Sequence, residues 1–373
     1  MPWCCSRPAI AVSNVDDTRS TVSSGLNLPS AHGAQPMSGT IRSLPEDFVV
    51  EEELSFQPEG RGQHVFLRLR KRQLNTADLA ARLARFAGVR RGDVGYAGLK
   101  DRQAVTSQWF SVDLGNREEL DWSALEAEDL QVEAITRNGR KLRRGALAGN
   151  HFKIVVRALQ GERQALEARV RGIAEAGVPN YFGPQRFGRD LGNLRQAARL
   201  FRGERVSRDR HRRGLYLSAA RAWLFNRVLA ARVTNNSWNR YVPGDALILD
   251  GSSSFFSCSE QPVDEDISQR VGCLDLHPSG PLWGVGESPV VGEVQCLENE
   301  VLADEPLFRQ GLEANGLRHE RRALRLGVRS LRWELEDDML HLSFWLPSGS
   351  YATAALQEFV AIRESSQRCL SST

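Results

Sequence analysis

Cysteine is scarce in this chain of 373 residues, with six in all, Cys4, Cys5, Cys258, Cys273, Cys296 and Cys369, and none of them forms a C-x-x-C pair. No histidine stands at ligand spacing from them, which argues against zinc and fits reduced thiols in a cytoplasmic protein. Long apolar runs are missing as well. No stretch reaches the roughly 18 residues that a membrane-spanning helix needs. The opening MPWCCSRPAIAVSN lacks both a charged start and an apolar core, so neither export nor a membrane is expected. Also absent are a G-x-x-x-x-G-K-[ST] phosphate loop, a G-x-S-x-G elbow, an H-E-x-x-H pair and a convincing dinucleotide fingerprint. Any catalysis is therefore expected to run without cofactor or metal. Excess charge is lacking too: 49 Lys+Arg against 46 Asp+Glu leave a formal net charge of +3. Affinity for a polyanion has to come from local patches, and basic residues mass between Arg186 and Arg213 and again between Arg318 and Arg332.

What is present is ordinary globular composition, 41% hydrophobic and 25% charged. The length suggests two domains at about 150 residues each. From Ser13 to about Ser38 the chain is rich in Ser, Gly, Pro, Asn and Asp, an arm expected to pack loosely or be disordered. Order begins near GTIRSLPEDFVVEEE. HVFLRLR alternates Val65, Leu67 and Leu69 against Phe66, Arg68 and Arg70, the period of a half-buried strand. NTADLAARLARFAGV predicts a helix capped by Asn75 or Thr76 and stopped by Gly88. Strand DVGYAG, loop LKDRQAVTSQ and strand WFSVDL follow, then strand GNHFKIVVRAL and a helix ending at Gly177. There the texture turns to Gly, Pro, aromatics and Arg-studded helices. Near the end VRSLRWELEDDMLHLSFWLP predicts two strands hinged at Asp337-Asp338. Strand-rich ends around a helical, basic middle suggest one domain split by an insertion, and no internal repeat is visible.

Within GYAGLKDRQAVTSQWFSV, Asp101 lies between Lys100 and Arg102, whose charges favour its ionised form, in a loop held by two strands. Such a carboxylate can be a nucleophile, a base or a metal ligand; the plain alternative is a surface turn. GNHF puts Asn150 and Phe152 on one strand face, an amide and a ring suited to a base-shaped ligand, unless Phe152 is simply core. In NYFGPQRFG, Tyr181, Phe182 and Phe187 surround Gln185 and Arg186, able to stack bases and grip phosphate or, equally, to pack a hinge. RGERVSRDRHRRG carries Arg208, Arg210, Arg212 and Arg213 with little acid, as a polyanion-binding surface or a solvated helix face. Glu51, Glu52 and Glu53 alternate faces along a strand, so a solvated edge is favoured over a metal site. Tyr351 follows a Gly/Ser turn, to cap a pocket or to be buried at a helix start.

Taken in order, PEDFVVEE, AGLKDRQAVTSQ, GNHF, PNYFGPQRFG and FWLPSGSYAT resemble the TruD family of tRNA pseudouridine synthases, over about Ser38 to Phe359. The resemblance implies an α+β fold: a pseudouridine synthase catalytic domain with a mixed, largely antiparallel sheet, interrupted by an α/β insertion of the TRUD type. The expected division is an arm over 1–37, a discontinuous catalytic domain over 38–177 plus 326–373, and the insertion over 178–325. Position by position, Asp101 matches the family's catalytic aspartate and Lys100 its preceding lysine. Asn150 matches an orienting asparagine, Phe152 the aromatic that stacks on the target uracil, and Phe48 a substrate-contacting phenylalanine. Tyr351 stands where members can carry phenylalanine, and Arg42 where a basic residue, often lysine, is expected. The implied partner is tRNA, modified at uridine 13 of the D arm, by a monomer needing neither cofactor nor an obligate protein partner. The other readings are a noncatalytic RNA-binding protein, disfavoured by the intact Asp101, Asn150 and Phe152, and a metal-dependent nuclease, for which no converging acidic pair is evident.

Overall fold

The computed structural model describes residues 28–115, 117–260 and 264–364. Residues 1–27 of the expected arm lie outside the described residues, as do Cys4, Cys5 and Cys369. The first part of the chain runs β1 (Met37–Ile41), β2 (Phe48–Leu54), β3 (His64–Arg72), α1 (Thr76–Phe86), β4 (Val94–Tyr96), β5 (Val105–Asp113), β6 (Leu130–Asn138), β7 (Leu147–Gly161) and α2 (Arg163–Ala176). The middle contains β8 (Val178–Pro179), α3 (Pro184–Phe187), α4 (Gly192–Phe201), α5 (Arg210–Thr234), β9 (Ala246–Leu249), β10 (Phe255–Ser257) and α6 (Glu265–Gly272). It continues through β11 (Leu276–Leu282), α7 (Gly292–Leu302), α8 (Pro306–Ala314) and β12 (Glu320–Ala323). The return is β13 (Arg325–Leu326), β14 (Arg329–Glu336), β15 (Met339–Pro347), α9 (Ala352–Phe359) and β16 (Ala361–Glu364).

Strands from both ends of the chain build one large sheet, ordered β14-β15-β7-β2-β5-β3-β6, with β1, β16 and β4 paired at its margins. The β2–β5 and β1–β16 pairs are parallel and the others antiparallel, so the sheet is mixed and largely antiparallel. Period-2 patterning dictates this: β15 buries Leu340, Leu342, Phe344 and Leu346 on one face, where they meet Phe152, Ile154 and Val156 of β7 beneath α2 and α9. On the other side of β2, the inward residues of β3 and β5 pack against Leu79 and Leu83 of α1. Asp337 and Asp338 form the two-residue turn between β14 and β15, with Asp337 at a positive φ of 49°.

The middle has its own core around α5, whose Ala219, Ala220, Leu224, Phe225, Val228 and Leu229 are all buried, beside the sheet β10-β9-β11-β12. It is joined to the large sheet where β8 pairs antiparallel with β13. Gly177 ends α2 at φ 75° and presses so closely on the Leu326 carbonyl that a Cβ would sit 2.6 Å from it.

Three expectations are corrected. Residues 28–36 are pinned rather than loose: Ser30 Oγ donates to Glu358 Oε2 at 2.6 Å, Arg169 Nη2 donates to the His32 carbonyl at 2.7 Å, and the His32 ring meets the Gly177 carbonyl at 2.8 Å. Polar residues with buried partners hold this segment where composition alone suggested none. The loop expected over Leu99–Gln108 is shorter, because β5 starts at Val105. Its polar Thr106, Ser107 and Gln108 are buried strand residues, and the last two find hydrogen-bond partners there. Part of the second basic stretch is internal: Arg321 pairs with buried Glu298 at 2.7 Å, and Arg325 donates to the Leu276 carbonyl at 2.8 Å. Among the described residues no helix is long and apolar enough to cross a membrane.

The turn that delivers Phe48 to β2 is fixed by Asp47, which is 1% exposed. Its carboxylate receives Arg157 Nη2 at 2.7 Å, Arg157 Nε at 3.0 Å and the Leu44 N–H at 2.9 Å. Replacing Asp47→Ala is expected to cost about 2–3 kcal/mol, since a charge-assisted pair and a backbone partner vanish together. Denaturant unfolding checks this, and an unchanged midpoint would refute it.

Candidate active site

The loop between β4 and β5 carries Asp101, whose side chain is 41% exposed. Its cation partner is neither of its chain neighbours. Arg102 turns away to donate to the Gln73 carbonyl at 3.3 Å, and Lys100 points into the sheet. Arg42 takes their place, its Nη2 at 2.8 Å from Asp101 Oδ2, while the Gln103 N–H donates to Oδ1 at 3.1 Å. Consecutive loop residues project in different directions, so sequence adjacency was a poor guide to which charge would meet the carboxylate. Arg42 sits just after β1 at a positive φ of 58°, a conformation that a non-glycine residue holds at some cost. Its guanidinium lies 4.6 Å from the centroid of the Phe48 ring. Phe48, Arg42 and Asp101 thus form a column of ring, cation and carboxylate, each holding the next.

Beside this column stands a buried network. Lys100 Nζ is 2.8 Å from Glu52 Oε1 and donates to Asn150 Oδ1 at 2.8 Å. The Glu52 side chain is fully buried, and its other oxygen accepts the Trp109 N–H at 2.8 Å. From below, Thr76 Oγ1 accepts the Lys100 N–H at 3.0 Å and donates to Gln108, whose own amide donates to the Gly98 carbonyl at 2.8 Å. The first half of the loop is therefore anchored to β5 and α1. Lys71 lies fully buried on β3, where Nζ donates to the Leu74 carbonyl at 2.6 Å. Burial pushes its pKa down to about 8; Lys100 lowers it further, while Asp101 and Glu52 act in the opposite sense.

Sequence reasoning passed over Lys71 and read Glu52 as part of a solvated edge, although the signal for both was available. Glu52 shares strand parity with Phe48 and Val50, and Lys71 with Val65, Leu67 and Leu69, so each stands on a core-facing register. The favoured solvated edge is therefore wrong for Glu52. Glu51 and Glu53 do face outward, to Lys153 and His151 respectively. The three glutamates do not converge.

Phe152 shares its strand face with Asn150 and is 7% exposed, stacked on Phe344 at 5.4 Å and edge-on to Phe48 at 6.3 Å. Tyr181, Phe182 and Phe187 are all buried in the core of the middle region, which is the packing role, while Gln185 and Arg186 reach out from α3. Arg186 Nε donates to Tyr351 Oη at 2.8 Å, and Gln185 to Thr353 Oγ1 at 3.3 Å, so both meet the start of α9. Arg208, Arg210, Arg212 and Arg213 are exposed around the start of α5 and form no ion pair within the described residues. The positive end of the helix dipole adds to their field.

Comparison with known proteins agrees on one family. The profile described as tRNA pseudouridine synthase D (TruD) matches residues 30–205 and 201–359. The tRNA pseudouridine synthase D of Methylococcus capsulatus is 53% identical over 335 residues, spanning 90% of this chain and 94% of its own. That of Pseudomonas aeruginosa is 44% identical over 333 residues, with 89% and 93% covered. The crystal structure of a candidate TruD protein from Methanosarcina mazei superposes with a TM-score of 0.68 at 21% identity, over 89% of this chain and 95% of that one, and shares the fold.

A lysine with a folded pKa of about 8 against 10.5 when unfolded weakens the fold while it is charged, below about pH 8. That penalty is relieved as pH rises toward the unfolded value, because the unfolded chain then binds more protons. Lys71→Met removes the titration. Its stability advantage over the wild type should shrink between pH 7.5 and 9.5 by a fraction of a total on the order of 3 kcal/mol. Parallel urea-unfolding curves across that range would instead show that Lys71 does not titrate there.

Proposed function

The chain belongs to the TruD family of tRNA pseudouridine synthases, and on that footing we propose that it isomerises uridine 13 in the D arm of tRNA, with Asp101 as the reacting carboxylate. Family membership carries the coarser activity, tRNA pseudouridine synthesis by an isomerase. The reaction breaks the N1–C1′ glycosidic bond, turns the uracil, and joins C5 to C1′. It is redox-neutral and consumes no water, so it calls for a positioned carboxylate and an enclosed base.

The observation that supports Asp101 most is its clamp. Arg42 and the Gln103 N–H each hold one carboxylate oxygen at 2.8 and 3.1 Å, so the group is fixed yet remains open to solvent on its outer side. From there it can attack C1′, add to C6, or take a proton from C2′, and each of these steps uses the ionised form. Lys100 and Asn150, tied to each other and to Glu52, are assigned to the rim that positions the nucleotide. Phe48 and Phe152 supply the apolar wall against which the freed uracil turns, and exclusion of water there keeps the base from escaping. Tyr351 closes the far side.

The target must leave the RNA stack, at a cost of a few kcal/mol that phosphate and stacking contacts offset. Residues 178–325 are assigned to the insertion that grips the RNA by shape, 38–177 with 326–373 to the catalytic domain, and the exposed Arg208, Arg210, Arg212 and Arg213 to backbone phosphates. A nuclease reading is disfavoured because Glu52 is committed to Lys100 while Glu51 and Glu53 face away from it.

Mapping pseudouridine by carbodiimide labelling and reverse transcription tests the reading directly. Wild-type protein should create a stop at uridine 13 in the D arm. Asp101→Asn should create none, with turnover down at least ~10³-fold and tRNA affinity within a few fold. A stop made equally by the variant would overturn the assignment of Asp101, and a stop elsewhere would overturn the target position. Changing Arg208, Arg210, Arg212 and Arg213 together to Gln should weaken tRNA binding and lower its salt slope by about 3. An unchanged slope would show that this patch does not touch phosphate.

A further inference from the structure

Arg322, on β12, is absent from the site as assigned so far, yet its surroundings are unusual. Its guanidinium lies 4.2 Å from the centroid of the Phe182 ring, and that of Arg186 lies 5.4 Å from the same centroid. Two like charges thus share one aromatic ring. Arg322 Nη2 donates to Asn180 Oδ1 at 2.6 Å and to the Gly349 carbonyl at 3.3 Å; Arg186 donates to the hydroxyls of Tyr351 and Ser218, both at 2.8 Å. All four acceptors are neutral, and among the described residues no carboxylate pairs with either arginine. Among the described residues Arg322 Nε is buried with no partner, and neither Arg322 Nη1 nor Arg186 Nη2 makes a hydrogen bond. Burial draws the Arg322 pKa down to about 10, Arg186 lowers it further, and Tyr351 pulls the other way.

Holding two guanidinium groups together without a counter-ion is costly, and an anion bound between them would relieve that cost. The location suggests which one. Gly349 and Tyr351 follow β15, whose Leu346 stands opposite Asn150 and Pro347 opposite Gly149. The arginine pair therefore lies along the same sheet end as the Lys100–Asn150 rim, where the middle region meets the large sheet.

We propose that Arg186 and Arg322, together with the Tyr351 hydroxyl, form a binding site for one phosphodiester of the RNA backbone, adjoining the nucleotide that enters at Asp101. This rests on the reading of the protein as an RNA-modifying enzyme. The planar forks supply unused N–H donors, the shared ring holds their planes, and Tyr351 Oη, which accepts from Arg186, can donate its own proton to a phosphate oxygen. Arg322 and Arg186 are binding residues here: they hold the strand by its backbone beside the nucleotide that enters at the carboxylate.

The test uses full-length tRNA ligated from synthetic fragments, each carrying one uncharged methylphosphonate linkage near the target uridine, with affinity measured by filter binding and KM and kcat by pseudouridine mapping. Wild type should lose about tenfold in affinity, with KM raised by about the same factor and kcat little changed, at one linkage. Arg322→Gln should show that loss on unmodified tRNA, a salt slope smaller by about 0.7 to 0.9, and no further loss at that linkage. Arg322→Lys, which keeps the charge, should retain most of the slope. Arg186→Gln, which leaves the buried guanidinium in place, carries the same linkage test if Arg322→Gln does not fold. Additive losses at every linkage, or equal damage from Gln and Lys with an unchanged slope, would overturn the proposal and leave the pair a packing device. Coupling to one linkage without any pseudouridine formed would instead leave the phosphate site standing and remove the catalytic reading.

Discussion

The buried ion pair between Glu52 and Lys100 is the constraint on which the candidate site depends. Taking a carboxylate and an ammonium out of water costs several kcal/mol for each ion, and their mutual attraction together with further hydrogen bonds offsets it. Here the Trp109 N–H takes the second carboxylate oxygen, and Asn150 takes another ammonium proton. Because these partners come from β2, β5 and β7, the pair stitches three neighbouring strands to the loop. Lys100 is thereby withdrawn from its neighbour Asp101, whose charge is matched by Arg42, just after β1, instead. Each carboxylate has its own cation.

Around that pair the large sheet does what its patterning dictates. Alternation in β7 and β15 was legible in the sequence, as were the helix stop at Gly177 and the turn at Asp337-Asp338, since each rests on local rules of period, capping or backbone sign. What was not legible was of two kinds. Thr106, Ser107 and Gln108 looked like loop because they are polar, and became strand because tertiary neighbours cover them and satisfy the last two. Glu52 was read as solvated and Lys71 passed over for the same reason: a charged residue on a core-facing register was weighed by type rather than by parity. The ordering of residues 28–36 rests on Glu358, Arg169 and Gly177, partners remote in sequence that no local window contains.

The arginines divide into two populations that composition cannot separate. Arg321 and Arg325 are spent on holding β12 and β13 to the middle region, each with its donors consumed by a carboxylate, a ring nitrogen or carbonyls. Arg208, Arg210, Arg212 and Arg213 stand in solvent, where repulsion among them is screened but not cancelled. A count of basic residues along the chain treats both stretches alike. Only the placement of each guanidinium decides which can meet another molecule.

The β8–β13 pair also bears on how the chain comes to fold. β7 and β15 are neighbours in the sheet although nearly the whole middle of the chain lies between them, a separation that would make their meeting slow if that segment were a random coil. Adjacent paired strands lie only about 4.8 Å apart. With β8 paired to β13 the two ends of the middle lie side by side, and only α2 on one side and β14 on the other separate that pair from β7 and β15. The β8–β13 pairing thus shortens the loop that must close for β7 to meet β15 and lowers the entropic cost of that closure.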